Sequence, residues 1–166
     1  MVAKKTHAAL NEQINHEMFS AYLYLAMSAY FQSIGLEGFA GWMRVQAREE
    51  LTHAMKFFDH LHDRGARVEL GAIEKPKLKW ASPLDAFRAA YEHEKFITGK
   101  INGLYKLAEA EADYPAKVFL DWFVKEQVEE EASASHIVEL LGRIKDSGSG
   151  LVMLDRELGK RETQGS

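Results

Sequence analysis

The sequence predicts an all-α protein whose four long helices form a bundle. Only three prolines interrupt its 166 residues, and the segments between the predicted turns have similar lengths. Within each segment, apolar residues recur at alternating spacings of three and four, the pattern of helices that bury one face against each other. We therefore expect a single domain over residues 1–166, with the bundle over about 6–145, a short C-terminal helix over about 151–158 and a polar tail over 159–166.

Turn-forming residues mark the boundaries of each predicted helix. The motif GLEG follows the first helix, Gly65 closes the second, and DYP separates the third from the fourth. The third helix has the clearest start, because Ser82 is a good N-cap and Pro83 suits the first helical position. The motif SGSG breaks the chain before the short fifth helix. In chain order, the predicted helices cover about residues 6–34, 39–64, 83–112, 115–145 and 151–158.

The lengths of the connections predict how the helices are arranged. The first and third turns are too short to do anything but reverse the chain, so each makes an antiparallel hairpin. The second connection, of about 16 residues, could span roughly 50 Å when extended. The long helices would be about 40–46 Å long, so this connection can cross the whole bundle. We expect a long crossover that leaves the second and third helices parallel.

Composition and charge exclude several classes of protein. The formal net charge is −4 and there is no cluster of Lys or Arg, which argues against a nucleic-acid partner. The absence of cysteine excludes thiolate metal sites and disulfides. No stretch approaches the ~18 uninterrupted apolar residues that a membrane span needs. The N-terminus, MVAKKTHAAL, has no apolar run behind its lysines, so we expect no signal peptide, no membrane partner and a cytoplasmic location.

Polar residues interrupt the apolar seam of each long helix near its midpoint. They are Glu17, Glu50, Glu94 and Gln127. Residues at the midpoints of helices of equal length arrive at the same level of a bundle, whether the helices are parallel or antiparallel. Glu17 lies 33 residues before Glu50, and Glu94 lies 33 residues before Gln127. A shift of 77 residues along the chain places the first pair on the second, and the same shift places His53 on Glu130. This weak pseudo-two-fold pattern is what a site for two similar centres would need.

Four carboxylates inside one bundle need compensating charge. Burying even one unpaired ion costs several kcal/mol, and no Lys or Arg shares the seam positions. Two divalent cations would balance Glu17, Glu50, Glu94 and Glu130. The spacing Glu50-x-x-His53 also places two ligands one turn apart on one helix face. Oxygen ligands with a single imidazole favour iron or manganese over structural zinc or calcium.

Segments on all four long helices closely resemble non-haem bacterial and archaeal ferritins. The resemblance covers about residues 5–158 and is carried by NHEMFSAYLYLAM (15–27), GWMRVQAREELTHAMKF (41–57), YEHE (91–94) and FVKEQVEEEASASHIVELL (123–141). It implies a ferritin-like four-helix bundle that contains a di-iron ferroxidase centre. Bacterioferritins have a haem-ligating Met directly after the bridging Glu, where this chain has Leu51, so the resemblance implies no haem.

The resemblance also implies roles for individual residues. Glu17, Glu50 and His53 would hold one iron, and Glu50 would bridge to a second iron. The remaining residues implied at the second iron are Glu94, Glu130 and, alongside, Gln127. A third iron site would be formed by Glu49, Glu126 and Glu129, with Glu130 shared. Tyr24 matches the tyrosine that lies beside the di-iron pair.

The function implied by the resemblance is iron storage and detoxification. Fe(II) would be oxidised by O₂ or peroxide and stored as a ferric mineral in a hollow homo-oligomeric shell of 24 subunits. The stretch FSAYLYLAMSAYF (19–31) is apolar nearly all round a helix, which favours a subunit interface. Two alternatives stay open at this point. One is a di-iron or di-manganese oxidase or peroxidase of the same superfamily that stores no metal, and the other is a metal-free structural bundle.

Overall fold

The computed structural model describes residues 3–162, which form five α-helices and no strand. The helices are α1 Lys4–Ser33, α2 Glu37–Asp63, α3 Pro83–Ala110, α4 Tyr114–Ile144 and α5 Gly148–Leu158. The predicted all-α bundle with a fifth C-terminal helix is therefore confirmed. Of the predicted polar tail over 159–166, residues 163–166 lie outside the described residues. Within the part described, no helix is sufficiently long and apolar to span a membrane.

Most helix boundaries lie within a few residues of the prediction, and α5 shows why they differ. The motif SGSG was expected to break the chain, but α5 begins inside it, at Gly148. The Ser147 hydroxyl accepts a hydrogen bond from the backbone N–H of Gly150 at 3.1 Å, so the serine caps the helix. Gly35 and Gly65 end the first two helices with positive φ angles of 77° and 70°, which glycine adopts at no steric cost.

The connection between α2 and α3 runs along α1 in the same direction as that helix. Asn11 Nδ2 donates to the carbonyl of Glu69 at 2.7 Å, and Asn15 Nδ2 donates to the carbonyl of Ala72 at 3.1 Å. Near the far end of α1, the rings of Tyr30 and Trp80 pack edge to face. The connection therefore crosses the length of the bundle, as predicted.

Contacts at the two ends of α1 fix the direction of α3. Phe87, near the start of α3, packs against Phe31 near the end of α1, with ring centroids 5.7 Å apart. At the other end, the Thr6 hydroxyl donates to Glu111 just after α3, at 2.6 Å. Helix α3 is thus antiparallel to α1. Because α2 is also antiparallel to α1, α2 and α3 are parallel.

The interior consists of two apolar clusters separated by a polar layer. One cluster contains Phe31, Phe39 and Phe87 and extends to α5. The other contains Phe57 and Phe123 at the opposite end of the bundle. The buried polar residues between them include Gln13, Glu17, Gln46, Glu50, His53, Glu94, Gln127 and Glu130. All four long helices contribute to this layer, as the matched midpoints predict.

Helix α5 packs against the start of α2. The Asp155 carboxylate accepts a hydrogen bond from the backbone N–H of Phe39 at 3.0 Å, which provides the cap that α2's own N-cap residue, Leu36, does not supply. The approach is close, because a Cβ built on Gly38 would lie 1.7 Å from the carbonyl oxygen of Asp155. Only glycine fits there, and this contact fixes where the chain continues after α5.

Candidate metal centre

The polar layer gathers carboxylates and one imidazole from all four long helices, and none of its members is more than 6% exposed. The buried members singled out by the sequence are Glu17 on α1, Glu50 and His53 on α2, Glu94 on α3, and Gln127 and Glu130 on α4. Each lies near the middle of its helix with apolar residues on both sides. The side chains therefore meet at one level, away from bulk water.

Three groups in the described residues have ligand atoms close enough to hold one cation each. In every group the atoms lie within 4.8 Å of one another. The three sets are Glu17, Glu50 and His53; Glu50, Glu94 and Glu130; and His53, Glu126 and Glu130. Glu50 belongs to the first two sets, so its carboxylate lies between them, where a bridging ligand would be. The third set shares one residue with each of the others.

Two glutamines orient the carboxylates, and both lie one turn before the glutamate they contact. Gln13 Nε2 donates to Glu17 Oε1 at 3.0 Å. Gln46 Nε2 donates to Glu50 Oε1 at 2.9 Å and to Glu130 Oε2 at 2.7 Å. An amide that donates to two carboxylates holds their relative position. These glutamines therefore restrict the positions of three candidate ligands.

The residues on α3 and α4 are connected in a similar way. Gln127 Nε2 is shared between the backbone carbonyl of Glu94 at 3.2 Å and the carboxylate of Glu94 at 3.1 Å. The Tyr24 hydroxyl donates to the other oxygen of the same carboxylate. Burial raises the pKa of Tyr24 well above its usual value, and the charge of Glu94 is the second largest cause of this shift. The phenol therefore stays protonated and acts as a donor. The amide nitrogen of Gln127 contacts the carboxylate of Glu94, and the role of Gln127 at an iron stays a prediction.

Burial is the main cause of the shifted pKa values in the layer. It raises the pKa of Glu17 and of Glu50 well above the ordinary range, and neighbouring carboxylates add to this effect. Burial also raises the pKa of Glu94, and it raises the pKa of Glu130 to about 8, with Glu94 contributing. Without a cation, Glu130 therefore holds a proton at neutral pH, and the pKa values of the other three carboxyls are shifted in the same direction. A bound cation would replace the proton of Glu130.

The unpaired atoms of the layer fit a metal ion. Glu17 Oε2 is buried and accepts no hydrogen bond, and His53 Nδ1 is buried without a hydrogen-bond partner. His53 Nδ1 lies 3.3 Å from Glu50 Oε2 and 3.9 Å from Glu17 Oε2. Buried polar atoms without partners are rare in folded proteins. Here they belong to one of the three candidate groups, and oxygen with imidazole is a donor set that suits iron or manganese.

The residues expected at a third iron site are only partly brought together. Glu126 is in a close group with His53 and Glu130. Glu49 and Glu129 are in none of the close groups found in the described residues. Glu129 is exposed, and Glu49 Oε2 forms an ion pair with Arg161 at 2.9 Å. The assignment of Glu49 and Glu129 as ligands stays a prediction.

Sequence reasoning missed Gln13, Gln46 and Arg161 as parts of the site. The two glutamines had a readable signal, because Gln13 precedes Glu17 and Gln46 precedes Glu50 by the same four residues, a spacing at which side chains on a helix meet. Arg161 had no such signal. It follows α5, and only the docking of that helix brings it to the polar layer.

Comparison with known proteins agrees with this geometry. A family model described as Ferritin-like domain matches residues 7–144. A bacterial non-heme ferritin of Staphylococcus aureus is 39% identical over 161 residues, which are 97% of this chain and 97% of that protein. A bacterial non-heme ferritin of Bacteroides fragilis is 40% identical over 161 residues, which are 97% of this chain and 100% of that protein.

Solved structures give the same result. An open-pore ferritin from the hyperthermophilic archaeon Archaeoglobus fulgidus superimposes with a TM-score of 0.97 and is 52% identical, covering 98% of this chain and 100% of that one. A closed form engineered from the Archaeoglobus fulgidus ferritin superimposes with a TM-score of 0.98 and is also 52% identical, covering 99% of this chain and 100% of that one. The resemblance predicted from the motifs is confirmed, and this chain belongs to the ferritin family.

Proposed function

We propose that this protein stores and detoxifies iron, and that each chain oxidises Fe(II) at the polar layer of its own bundle. The observation that carries the proposal is the position of Glu50, which belongs to two close groups at once. Two Fe(II) ions bound as substrates, one by Glu17, Glu50 and His53 and the other by Glu50, Glu94 and Glu130, would share that carboxylate. A pair of metal ions on a shared ligand is the arrangement used for two-electron chemistry at such sites.

The side chains of the layer would each have a definite task. Glu17, Glu50, Glu94 and Glu130 bind the ions, and Glu130, whose pKa burial raises to about 8, releases its proton as the ions enter. Two Fe(II) ions give one electron each, which reduces O₂ to hydrogen peroxide with the uptake of two protons. Gln13 and the other amides hold the carboxylates in place during this change. Because the layer is buried, bulk water is excluded from the reacting atoms.

Tyr24 and the third close group, formed by His53 on α2 with Glu126 and Glu130 on α4, extend this proposal. Tyr24 donates a hydrogen bond to Glu94, so we assign it the role of orienting that ligand beside the pair. The group of His53, Glu126 and Glu130 offers a place for a third cation, with Glu49 and Glu129 as further acidic residues of the same region. The charges of Glu129 and Glu49 add to burial in raising the pKa of Glu126, which supports their proximity.

Storage requires an assembly, and we propose a homo-oligomeric shell of 24 subunits in the cytoplasm that encloses a ferric mineral. The support is the membership of the ferritin family, together with apolar residues that one subunit leaves uncovered on α1. Tyr22 is 50% exposed and Leu25 is 46% exposed, although both lie in the middle of a long helix. An organic substrate is not favoured, because no member of the layer is more than 6% exposed to solvent.

A pair of matched variants tests the proposed centre. We expect Glu50→Gln to lower the initial rate of Fe(II) oxidation by about 100-fold, the upper end of the range for loss of an outer-shell partner, because Glu50 would contact both ions directly. Asp59→Asn removes an exposed carboxylate from the same helix and should leave the rate unchanged. Oxidation is followed by absorbance of the ferric product, and size-exclusion chromatography checks that each variant assembles as the wild type does.

The outcomes separate the candidate functions. A large particle that accumulates hundreds of irons per shell supports storage, and a small oligomer that stops near two metal ions per chain would overturn storage in favour of a di-iron oxidase. A Glu50→Gln variant that oxidises Fe(II) at the wild-type rate would overturn the assignment of the centre to this layer.

A further inference from the structure

Arg161 reaches the edge of the polar layer from outside the bundle. One of its terminal nitrogens donates to Gln46 Oε1 and to Glu49 Oε2, both at 2.9 Å. The other donates to the backbone carbonyl of Trp42 at 3.4 Å, and the guanidinium carbon lies 4.2 Å from the centre of the Trp42 ring. Its side chain is only 22% exposed. A guanidinium held by a carboxylate, a carbonyl, an amide and an aromatic face has a single defined position.

The docking of α5 delivers Arg161 to this position. Leu154 and Leu158 are buried against the rest of the chain, and Asp155 caps α2 through the backbone N–H of Phe39. The chain leaves α5 at Leu158 and reaches Arg161 three residues later. The backbone position of Arg161 is thus set by the docking of α5, whose contacts do not involve the metal layer.

The direction of the Gln46 amide depends on Arg161. A guanidinium has donors and no acceptor, so the amide must turn its oxygen towards Arg161. Its nitrogen then faces inward, where it donates to Glu50 and Glu130. If the amide turned round, its oxygen would face the two carboxylates and its nitrogen would face the guanidinium. Neither carboxylate would then receive a hydrogen bond from Gln46. Arg161 therefore stabilises the orientation in which the amide nitrogen holds both ligands, the same orientation that the two carboxylates favour.

We propose that Arg161 is a positioning residue of the metal centre, which acts through Gln46 to hold Glu50 and Glu130 in place for cations. The inference rests on the proposed function, because it concerns the same cation site. It assigns a task to the C-terminal segment, which lies outside the four-helix bundle. Glu49 is the anchor of Arg161 in this arrangement, since their ion pair keeps the guanidinium beside Gln46.

Cobalt(II) binding tests this inference without any oxidation step. Calorimetric titration of the whole protein gives the affinity and the number of ions per chain, and the visible absorption of the bound Co(II) reports its ligand geometry. We expect Arg161→Gln to weaken binding at the paired site by about tenfold, as for loss of an outer-shell partner, and to alter the spectrum. Lys160→Gln is the matched control. It removes the same charge one residue earlier, from an exposed ion pair with Glu157, and should bind like the wild type.

A double-mutant cycle separates positioning through Gln46 from a general structural effect. Gln46→Leu alone should weaken Co(II) binding to a similar extent, and adding Arg161→Gln to it should cause no further loss. A full additional loss in the double variant would overturn the route through Gln46. Arg161→Lys keeps a charged donor beside the amide, so its affinity should lie closer to that of the wild type than the affinity of Arg161→Gln does.

The remaining outcomes are distinguishable. Wild-type affinity in Arg161→Gln would overturn the inference while leaving the proposed function in place. Absence of Co(II) binding by the wild-type protein would overturn the proposed function itself. If Arg161→Gln does not fold, wild-type affinity in Gln46→Leu overturns the inference on its own, because the amide would then hold no ligand.

Discussion

The buried carboxylates show how single residues connect stability to function in this protein. Their pKa values are raised mainly by burial, because a carboxylate is poorly solvated inside the bundle, and a bound cation would offset that cost. The side chains that donate hydrogen bonds to them are all neutral: the amides of Gln13, Gln46 and Gln127, and the phenol of Tyr24. A positively charged donor in the same place would compete with cations. The layer is therefore arranged for binding rather than for the stability of the metal-free chain.

The first prediction concerns the pH dependence of the metal-free protein. The pKa of Glu130 is about 8 in the folded protein and 4.5 in its ordinary state, so the folded state binds the proton more tightly. The stabilisation is complete below the ordinary pKa and is lost as the pH rises through the folded pKa. Between these values the free energy of unfolding should fall by about 1.4 kcal/mol per pH unit for this one proton. Denaturant unfolding measured with a chelator present gives the slope.

Two variants on α4 identify the source of that slope. Glu130→Gln removes the titrating group while keeping its size. The free energy of unfolding should therefore fall less steeply with rising pH, by the contribution of one proton. Glu139→Gln, an exposed position on the same helix, should retain the wild-type slope. A Glu130→Gln slope equal to that of the wild type would show that this carboxyl does not hold its proton in the folded state.

At the scale of helices, periodicity together with the lengths of the connections predicted the fold, and local spacing predicted which polar residues are buried at the middle of the bundle. Equal helix lengths placed Glu17, Glu50 and Glu94 at one level, because every helix rises by the same amount per residue. The start of α5 was missed because SGSG reads as a break unless Ser147 is recognised as a cap. Arg161 was missed because its contact depends on tertiary packing, which no spacing within one helix encodes.

The second prediction concerns the contact between α5 and α2. Gly38→Ala places a Cβ 1.7 Å from the carbonyl oxygen of Asp155, and backbone cannot move aside as a flexible side chain can. We expect a loss of about 1–3 kcal/mol in the free energy of unfolding, as for other overpacked sites. Displacing α5 also displaces Arg161, so Co(II) affinity should fall together with stability.

Gly41 supplies the control for this prediction. It lies one turn further along the same helix, and a Cβ built there meets nothing within 4 Å. Gly41→Ala should therefore stabilise the protein by up to about 1 kcal/mol, since alanine favours a helix over glycine, and it should leave Co(II) affinity unchanged. Equal effects of the two substitutions on unfolding would mean that α5 does not pack against Gly38.

For the molecule as a whole, the distribution of apolar residues points beyond one subunit. The two apolar clusters bury the seams of all four long helices on either side of the polar layer. Leu23, within the apolar stretch 19–31, belongs to the core. Tyr22 and Leu25, on the same turns of α1, stay about half exposed. Apolar residues exposed on neighbouring turns of one helix face mark an interaction surface.

The last prediction is that Leu25→Glu breaks the assembly while leaving the subunit folded. A charge at this half-exposed position is solvated in a free subunit but would be buried unpaired in a subunit interface, which costs several kcal/mol for each interface formed. Asn102→Glu, on an exposed part of α3, is the control and should assemble as the wild type does. Analytical ultracentrifugation gives the particle mass, and circular dichroism gives the helix content. A Leu25→Glu variant of wild-type mass would show that this face of α1 is not a subunit interface, and one that is both dissociated and unfolded would show that Leu25 supports the subunit itself.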